Sequence, residues 1–251
     1  MALQEEFKTQ GDYLFKNRSK LPLLILIVAL GVYGYMEYSE TETEREDFFI
    51  EAEYVYLLVS LFGLFLRIIT VGFTPKNTSG RNTADGQLAA KLNTTGMYSL
   101  VRHPLYLGNF FMWLGLGLMT ESFWFIISFI LIYFMYYERI MFAEESFLRK
   151  KFGDKYLQWA VNTPAIIPSF KTCVKPAYFF SWRKVLKKEK NGFTAVFLLF
   201  WLFEVIGESI ENHEFSFEFN FWSIAAFASL IIYLILKYIK KKTNWFEEAY
   251  R

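Results

Sequence analysis

Pro104–Thr120 reads P-L-Y-L-G-N-F-F-M-W-L-G-L-G-L-M-T, and Ser122–Phe142 reads S-F-W-F-I-I-S-F-I-L-I-Y-F-M-Y-Y-E-R-I-M-F. Only Glu121 stands between them. Each run approaches the ~20 apolar residues that carry a helix across a bilayer. Runs joined by almost no loop form an antiparallel hairpin. Pro104 suits a first helical turn, where its missing N–H costs least. The second run continues in helical pattern past the membrane to about Lys151, carrying Glu144 and Glu145 just outside it.

Working outward, the same composition recurs. Leu21–Met36 and Tyr54–Phe73 read as spans before the hairpin, Phe193–Ile210 and Phe221–Ile239 as spans after it. The chain of 251 residues is 54% hydrophobic and 21% aromatic, above the range of soluble domains. The expected fold class is all-α: a polytopic integral membrane helical bundle of about six transmembrane helices. Residues 1–20 are polar, and their acidic Glu5, Glu6 and Asp12 do not suit a signal peptide. Thr74–Arg102 is a polar, turn-rich connection in which Gln87–Leu92 reads as a short surface helix. Gly153–Phe170, aromatic and apolar between prolines, reads as interfacial or partly re-entrant.

Charge orients the bundle. The loop at 37–53 carries Glu37, Glu40, Glu42, Glu44, Glu46, Asp47, Glu51 and Glu53 against Arg45, and 208–218 is acidic too. The N-terminus, 74–102, 143–192 and the tail at Lys240–Lys242 hold nearly all the Lys and Arg. The positive-inside rule puts that basic side, with both termini, in the cytoplasm. The membrane expected is a bacterial inner membrane, or the endoplasmic reticulum in a eukaryote. Cys173 is the one cysteine and only two histidines accompany it, far apart, so a zinc site is not expected.

Polar groups collect at the ends of the hairpin: Arg102, His103, Asn109, Glu138, Arg139, Glu144 and Glu145. Ionisable groups near a bilayer are costly unless they line a wet cavity or bind something. R-H-P-L-Y-L-G at Arg102–Gly108 can be a helix start with interface anchors, or it can project His103 and Tyr106 into a cavity. Gly108, Gly115 and Gly117 can serve close helix packing or leave room for a flat ring. Glu144 and Glu145 point roughly 100° apart on a helix, so one can face solvent while the other turns toward the hairpin. Arg139 lies nearer the bilayer and suits an anionic lipid group.

G-M-Y-S-L-V-R-H-P-L-Y-L-G at 96–108, then A-E-E-S-F-L-R-K-K-F-G-D-K-Y at 143–156, then P-A-I-I-P at 164–168 resemble the isoprenylcysteine carboxyl methyltransferase family, which groups with the integral-membrane phospholipid methyltransferases. The resemblance covers roughly residues 85–170. It implies a multi-spanning enzyme that uses S-adenosyl-L-methionine (SAM) in a cytosolic pocket closed by the segment after the last core helix. By position, Leu92, Asn93, Tyr98, His103, Pro104, Leu105, Tyr106 and Glu144 would line that pocket, with Glu145 completing the diacid. Gly108 joins this cofactor set through the room it leaves for a ring. The acceptor would enter sideways between helices.

Two departures bear on the acceptor. Asn162-Thr163-Pro164 stands where the family tends to have Arg-Val-Pro, and Arg139 is left as the arginine near the diacid. The spans after about Lys190 extend beyond where the family usually stops. The chain therefore divides into 1–73, a two-span region; 74–170, the SAM-binding core; and 171–251, a two-span extension. His103 is the near-neutral base of the region, with Arg139 the candidate to orient the acceptor. An acceptor that is already anionic needs no base, which favours methylation of a carboxylate or phosphate oxygen. The partners expected are the bilayer and a membrane lipid or lipid-anchored molecule, not nucleic acid. An NADPH-dependent sterol-type reductase is similar at H-P-x-Y-x-G and the final prolines, but its Arg-rich, Cys-containing stretch is here A-E-E-S-F-L. A non-catalytic scaffold would explain the apolar spans and not the ordered motifs.

Overall fold

The computed structural model describes all residues except 1, 19, 40–48, 76, 77, 79, 80, 84, 85 and 249–251. Glu40, Glu42, Glu44, Arg45, Glu46 and Asp47 of the acidic loop therefore lie outside the described residues. In chain order come α1 (Leu3–Lys16), α2 (Lys20–Ser39), α3 (Phe49–Gly72), a hairpin of β1 (Arg81–Thr83) and β2 (Gly86–Leu88), and α4 (Met97–Leu100). There follow α5 (Pro104–Leu118), α6 (Phe123–Phe152), α7 (Asp154–Asn162), a 3-10 turn at Phe170–Thr172, α8 (Trp182–Glu211) and α9 (Phe221–Lys242). Five of these helices are long and apolar enough to cross a membrane, and α5 is a shorter apolar sixth. The expected polytopic helical bundle is what the chain forms.

Local sequence sets the helix ends. Pro104 opens α5, and the Ser122 hydroxyl accepts the Phe125 N–H at the start of α6. Asn220 and Ser223 form a capping box at α9. Lys240–Lys242 close α9 where its C-terminal dipole favours cations. Gly153 ends α6 with φ +54, a conformation that costs glycine least, and the chain turns there into α7.

Small residues let α3 and α5 meet closely. A methyl group on Gly63 would collide with the Gly108 carbonyl, and one on Gly115 with Tyr56 and Ser60 of α3. The Ser60 hydroxyl donates to the Met112 carbonyl at 2.9 Å. One apolar core joins α2, α3, α8 and α9 to the end of α5 through Tyr33, Leu57, Leu116, Phe200, Phe203 and Trp222. A second joins α1 to α6 through Phe15, Phe129, Tyr133, Tyr137 and Ile140. Exposed Phe62, Phe65, Leu131, Met135, Ile231 and Ile235 suit contact with lipid tails.

One local expectation changes, and two stretches read only as polar or basic are partly helical. Gln87–Leu92 is not a helix: β2 occupies Gly86–Leu88 and pairs antiparallel with β1, so strand pairing wins over helix formation there. The polar N-terminus folds as α1, which Gly11 brings against the Arg139 carbonyl of α6. The basic stretch Lys171–Lys190 becomes helical from Trp182, capped by Ser181. The α5 helix has 15 residues, about 22 Å at 1.5 Å per residue, against a hydrocarbon layer of ~30 Å. It therefore falls about 8 Å short of that layer, and the candidate site lies at its N-terminal end.

Candidate functional site

The site begins at the junction of α4 and α5. Backbone from 101 to 103 is not helical, and polar groups of 100–103 bond the returning segment after α7. Arg102 N–H donates to the Pro164 carbonyl at 2.8 Å, His103 N–H to Ala165 at 3.3 Å, and Ser169 N–H to Leu100 at 2.9 Å. The prolines that frame P-A-I-I-P thus border a strap across the start of α5. Non-helical backbone near a membrane is stable only when paired in this way or lining a cavity.

Glu145 of α6 is the hub that fixes this junction. Its carboxylate accepts from Arg102 Nε at 2.8 Å and Nη2 at 3.3 Å, and meets His103 Nε2 at 2.8 Å. Arg102 Nη1 donates to the Ala160 and Thr163 carbonyls at 3.0 and 2.7 Å. A nitrogen that faces a carboxylate at hydrogen-bond distance carries the proton, so His103 donates through Nε2. Glu144, the next residue, turns the other way. Its Oε2 accepts from the Tyr106 hydroxyl at 2.8 Å and lies 3.7 Å from His103 Nδ1. The His103 and Tyr106 rings stack at 5.5 Å, and Tyr137 packs on Tyr106.

Two cavities meet at Tyr98, Arg102, His103 and Glu144. The larger, about 600 Å³, is of ligand size. It is lined by Pro104, Leu105, Tyr106 and Asn109 of α5, by Arg67 of α3, and by residues of α8. The smaller, about 30 Å³, is lined by Leu92, Asn93, Glu145, Tyr156 and Trp159. Within it, Asn93 Nδ2 is buried without a hydrogen-bond partner among the described residues. Desolvation, and then the negative charge of Glu144, push the Tyr98 phenol above its ordinary pKa, so it stays a hydrogen-bond donor at neutral pH.

The far part of the large cavity holds a second polar group. Arg67 donates through Nε and Nη2 to both oxygens of Glu189 at 2.7 and 2.9 Å, and through Nη1 to Asn109 Oδ1 at 2.6 Å. Glu189 is 4% exposed.

The structure thus brings together Leu92, Asn93, Tyr98, His103, Pro104, Leu105, Tyr106, Glu144 and Glu145. It does not bring Arg139 or Gly108 to either cavity lining. Arg139 faces α1, with its guanidinium 3.4 Å from the Phe7 ring centroid, paired to Glu138 and bonded to Gln10. Gly108 is spent on the α3 contact: a methyl there would strike the stem of Arg67. Among the cations that line the large cavity, Arg67 of α3 is the one held by Glu189 and Asn109. Glu189 went unread. Its signal was a single acidic residue in K-K-E-K, at the edge of an apolar run.

Residues 57–155 match the phospholipid methyltransferase family. Similar stretches occur in a nickel-cobalt-cadmium resistance protein of Alcaligenes xylosoxydans xylosoxydans, 37% identical over 83 residues, 33% of this chain and 38% of the relative. A cobalt-zinc-cadmium resistance protein of Cupriavidus metallidurans is 40% identical over 77 residues, 31% and 35% of the two chains. The protein-S-isoprenylcysteine O-methyltransferase of Schizosaccharomyces pombe is 37% identical over 78 residues, 31% and 33%. The matched stretch spans little more than a third of each relative's length. No solved structure matches the chain significantly.

Proposed function

We propose that the protein is an integral membrane SAM-dependent methyltransferase whose acceptor is a lipid or lipid-anchored molecule bearing a carboxylate or phosphate. One observation carries the reading: Glu144 and His103, from different helices, meet at the junction of two cavities. Similarity to a phospholipid methyltransferase family over 57–155 supports it.

The donor set fits SAM. Glu144 accepts one hydrogen bond from Tyr106 among the described residues and keeps capacity for an ammonium or a ribose diol. Asn93 Nδ2, buried and without a partner among the described residues, suits an acceptor atom of a nucleoside. Tyr98 offers a phenol held in its protonated form. Residues 74–170 are the proposed cofactor core, with Leu92, Pro104 and Leu105 as apolar walls and Glu145 as the anchor of His103. When bound, SAM supplies a methyl group already activated by its sulfonium. The chain's own residues bind, orient and exclude water, and positioning of that kind is worth ~7–11 kcal/mol. His103 is committed to Glu145 through Nε2, which suits a positioning role and an acceptor that needs no deprotonation. The basic side, with both termini, faces the cytoplasm by the positive-inside rule.

The test is binding to purified protein in phosphatidylcholine nanodiscs. Titration calorimetry is expected to show SAM binding and no NADPH binding; the reverse preference overturns the reading. Glu144→Ala is expected to lose SAM binding while still unfolding cooperatively as a folded protein. Normal SAM binding by that variant would mean that the pocket is misplaced.

A further inference from the structure

The family match ends at residue 155, so α8 lies beyond it. Yet α8 supplies one wall of the large cavity, with Glu189, Gly192, Ala195 and Leu199 spaced at three- and four-residue intervals along one face. Where that face meets α5, Gly192 leaves room: a methyl there would press on Met112 Cε at 3.3 Å. At the acidic end of the bundle α8 touches α2, with Gly207 against the Tyr33 hydroxyl and Ile210 near Gly34. Toward the basic end both helices line the large cavity. Leu23 of α2 and Ala195 of α8 both line the cavity and both are exposed. The chamber is therefore open sideways, toward the lipid tails, between α2 and α8.

Both signs of charge line it. Arg18, Arg67, Arg102 and Lys188 line the cavity against Glu144 and Glu189. The Arg67 guanidinium has five N–H groups, and three hydrogen bonds to Glu189 and Asn109 fix its plane. The remaining donors can meet an anion without any change in that geometry. Met112, Trp113 and Leu116 supply an apolar floor opposite α8.

We infer that α8 is the specificity-determining wall of an acceptor chamber that opens between α2 and α8: Glu189 positions Arg67 for the anionic head of a single-chain amphiphile, and Ala195 sets the width through which its hydrocarbon chain lies. This rests on the proposed methyltransferase reading for its purpose, but the binding it claims is measured without SAM. The C-terminal region beyond the family match thus decides what is bound, while residues 74–170 hold the cofactor.

The test uses the full chain in phosphatidylcholine nanodiscs with dodecyl phosphate, dodecanoate, dodecanol and butyl phosphate as probes. Both dodecyl anions are expected to bind at least tenfold more tightly than dodecanol; preference for one anion distinguishes a phosphate acceptor from a carboxylate one. The double variant Arg67→Gln, Glu189→Gln keeps a polar pair without charge and is expected to lose that discrimination. A purely structural ion pair would leave it intact, and that result overturns the role of Glu189. Ala195→Phe, at an exposed position, is expected to weaken dodecyl phosphate at least tenfold and butyl phosphate less than twofold. Equal weakening, or none, overturns the chain path. Independently, a bromine-terminated dodecyl phosphate is expected to quench tryptophan fluorescence in the natural chain and to lose part of that quench in Trp113→Phe. An identical quench in both overturns it as well. Absence of SAM binding in the natural chain would reject the methyltransferase reading alone, since these readouts do not depend on it.

Discussion

Adjacent carboxylates at 144 and 145 have opposite work. Glu145 is held by Arg102 and His103, while Glu144 faces the larger cavity with one partner among the described residues. The sequence showed that the two must diverge, because neighbours on a helix point ~100° apart. Which of them turned inward depended on the strap at 160–169, whose carbonyls capture Arg102, and no periodicity reports such a contact. Removing each carboxylate should therefore fail differently. Glu145→Ala leaves Arg102 and His103 without their acceptor at a partly buried junction, a loss of about 1–3 kcal/mol. Thermal unfolding in nanodiscs should show a larger drop in midpoint for Glu145→Ala, which loses three hydrogen bonds, than for Glu144→Ala, which loses one. Equal midpoints would remove the distinction. Arg139 marks the limit of reading at this scale: a cation near the diacid in sequence faces the opposite side of α6, toward Phe7.

At the scale of elements, the α5–α6 hairpin and the run of α6 beyond the membrane were legible because apolar length and the single residue between runs leave little choice. The hairpin at β1–β2 was not, since three-residue strands carry almost no pattern. Nor was the early start of α8, where a basic amphipathic turn precedes the apolar run. Gly63, Gly108 and Gly115 could be read either as packing residues or as space for a ligand. The structure assigns all three to the α3–α5 contact. Glycine to alanine inside a helix ordinarily gains up to ~1 kcal/mol. At Gly63 the sign should reverse, because the added methyl meets the backbone of Gly108 and overpacking costs ~1–3 kcal/mol. Gly31→Ala, with nothing near its added methyl, is the control and should be neutral or stabilising. Unfolding temperatures of the two variants decide it, and a stabilised Gly63→Ala would mean that the helices do not meet there.

For the whole molecule, alternation of basic and acidic ends was readable, and the helices follow it. Cys173, the only cysteine in the sequence, is exposed on the segment between α7 and α8. A membrane-impermeant maleimide should therefore label it only after cells are opened. Labelling of intact cells would invert the proposed orientation. What sequence could not show is that the last two helices share a core with the first ones through Phe200, Phe203 and Trp222. Contacts so distant in the chain leave no local trace.

The shortness of α5 has an energetic reach beyond geometry. Its ~22 Å falls about 8 Å below the ~30 Å apolar slab. The proposed acceptor can thus present its head to Arg67 while its tail remains dissolved among neighbouring acyl chains. Lifting a twelve-carbon tail into water would forfeit ~0.8 kcal/mol per methylene, on the order of 10 kcal/mol in all. By recessing the site into the leaflet, a helix about one and a half turns too short for its membrane relieves the protein of that extraction.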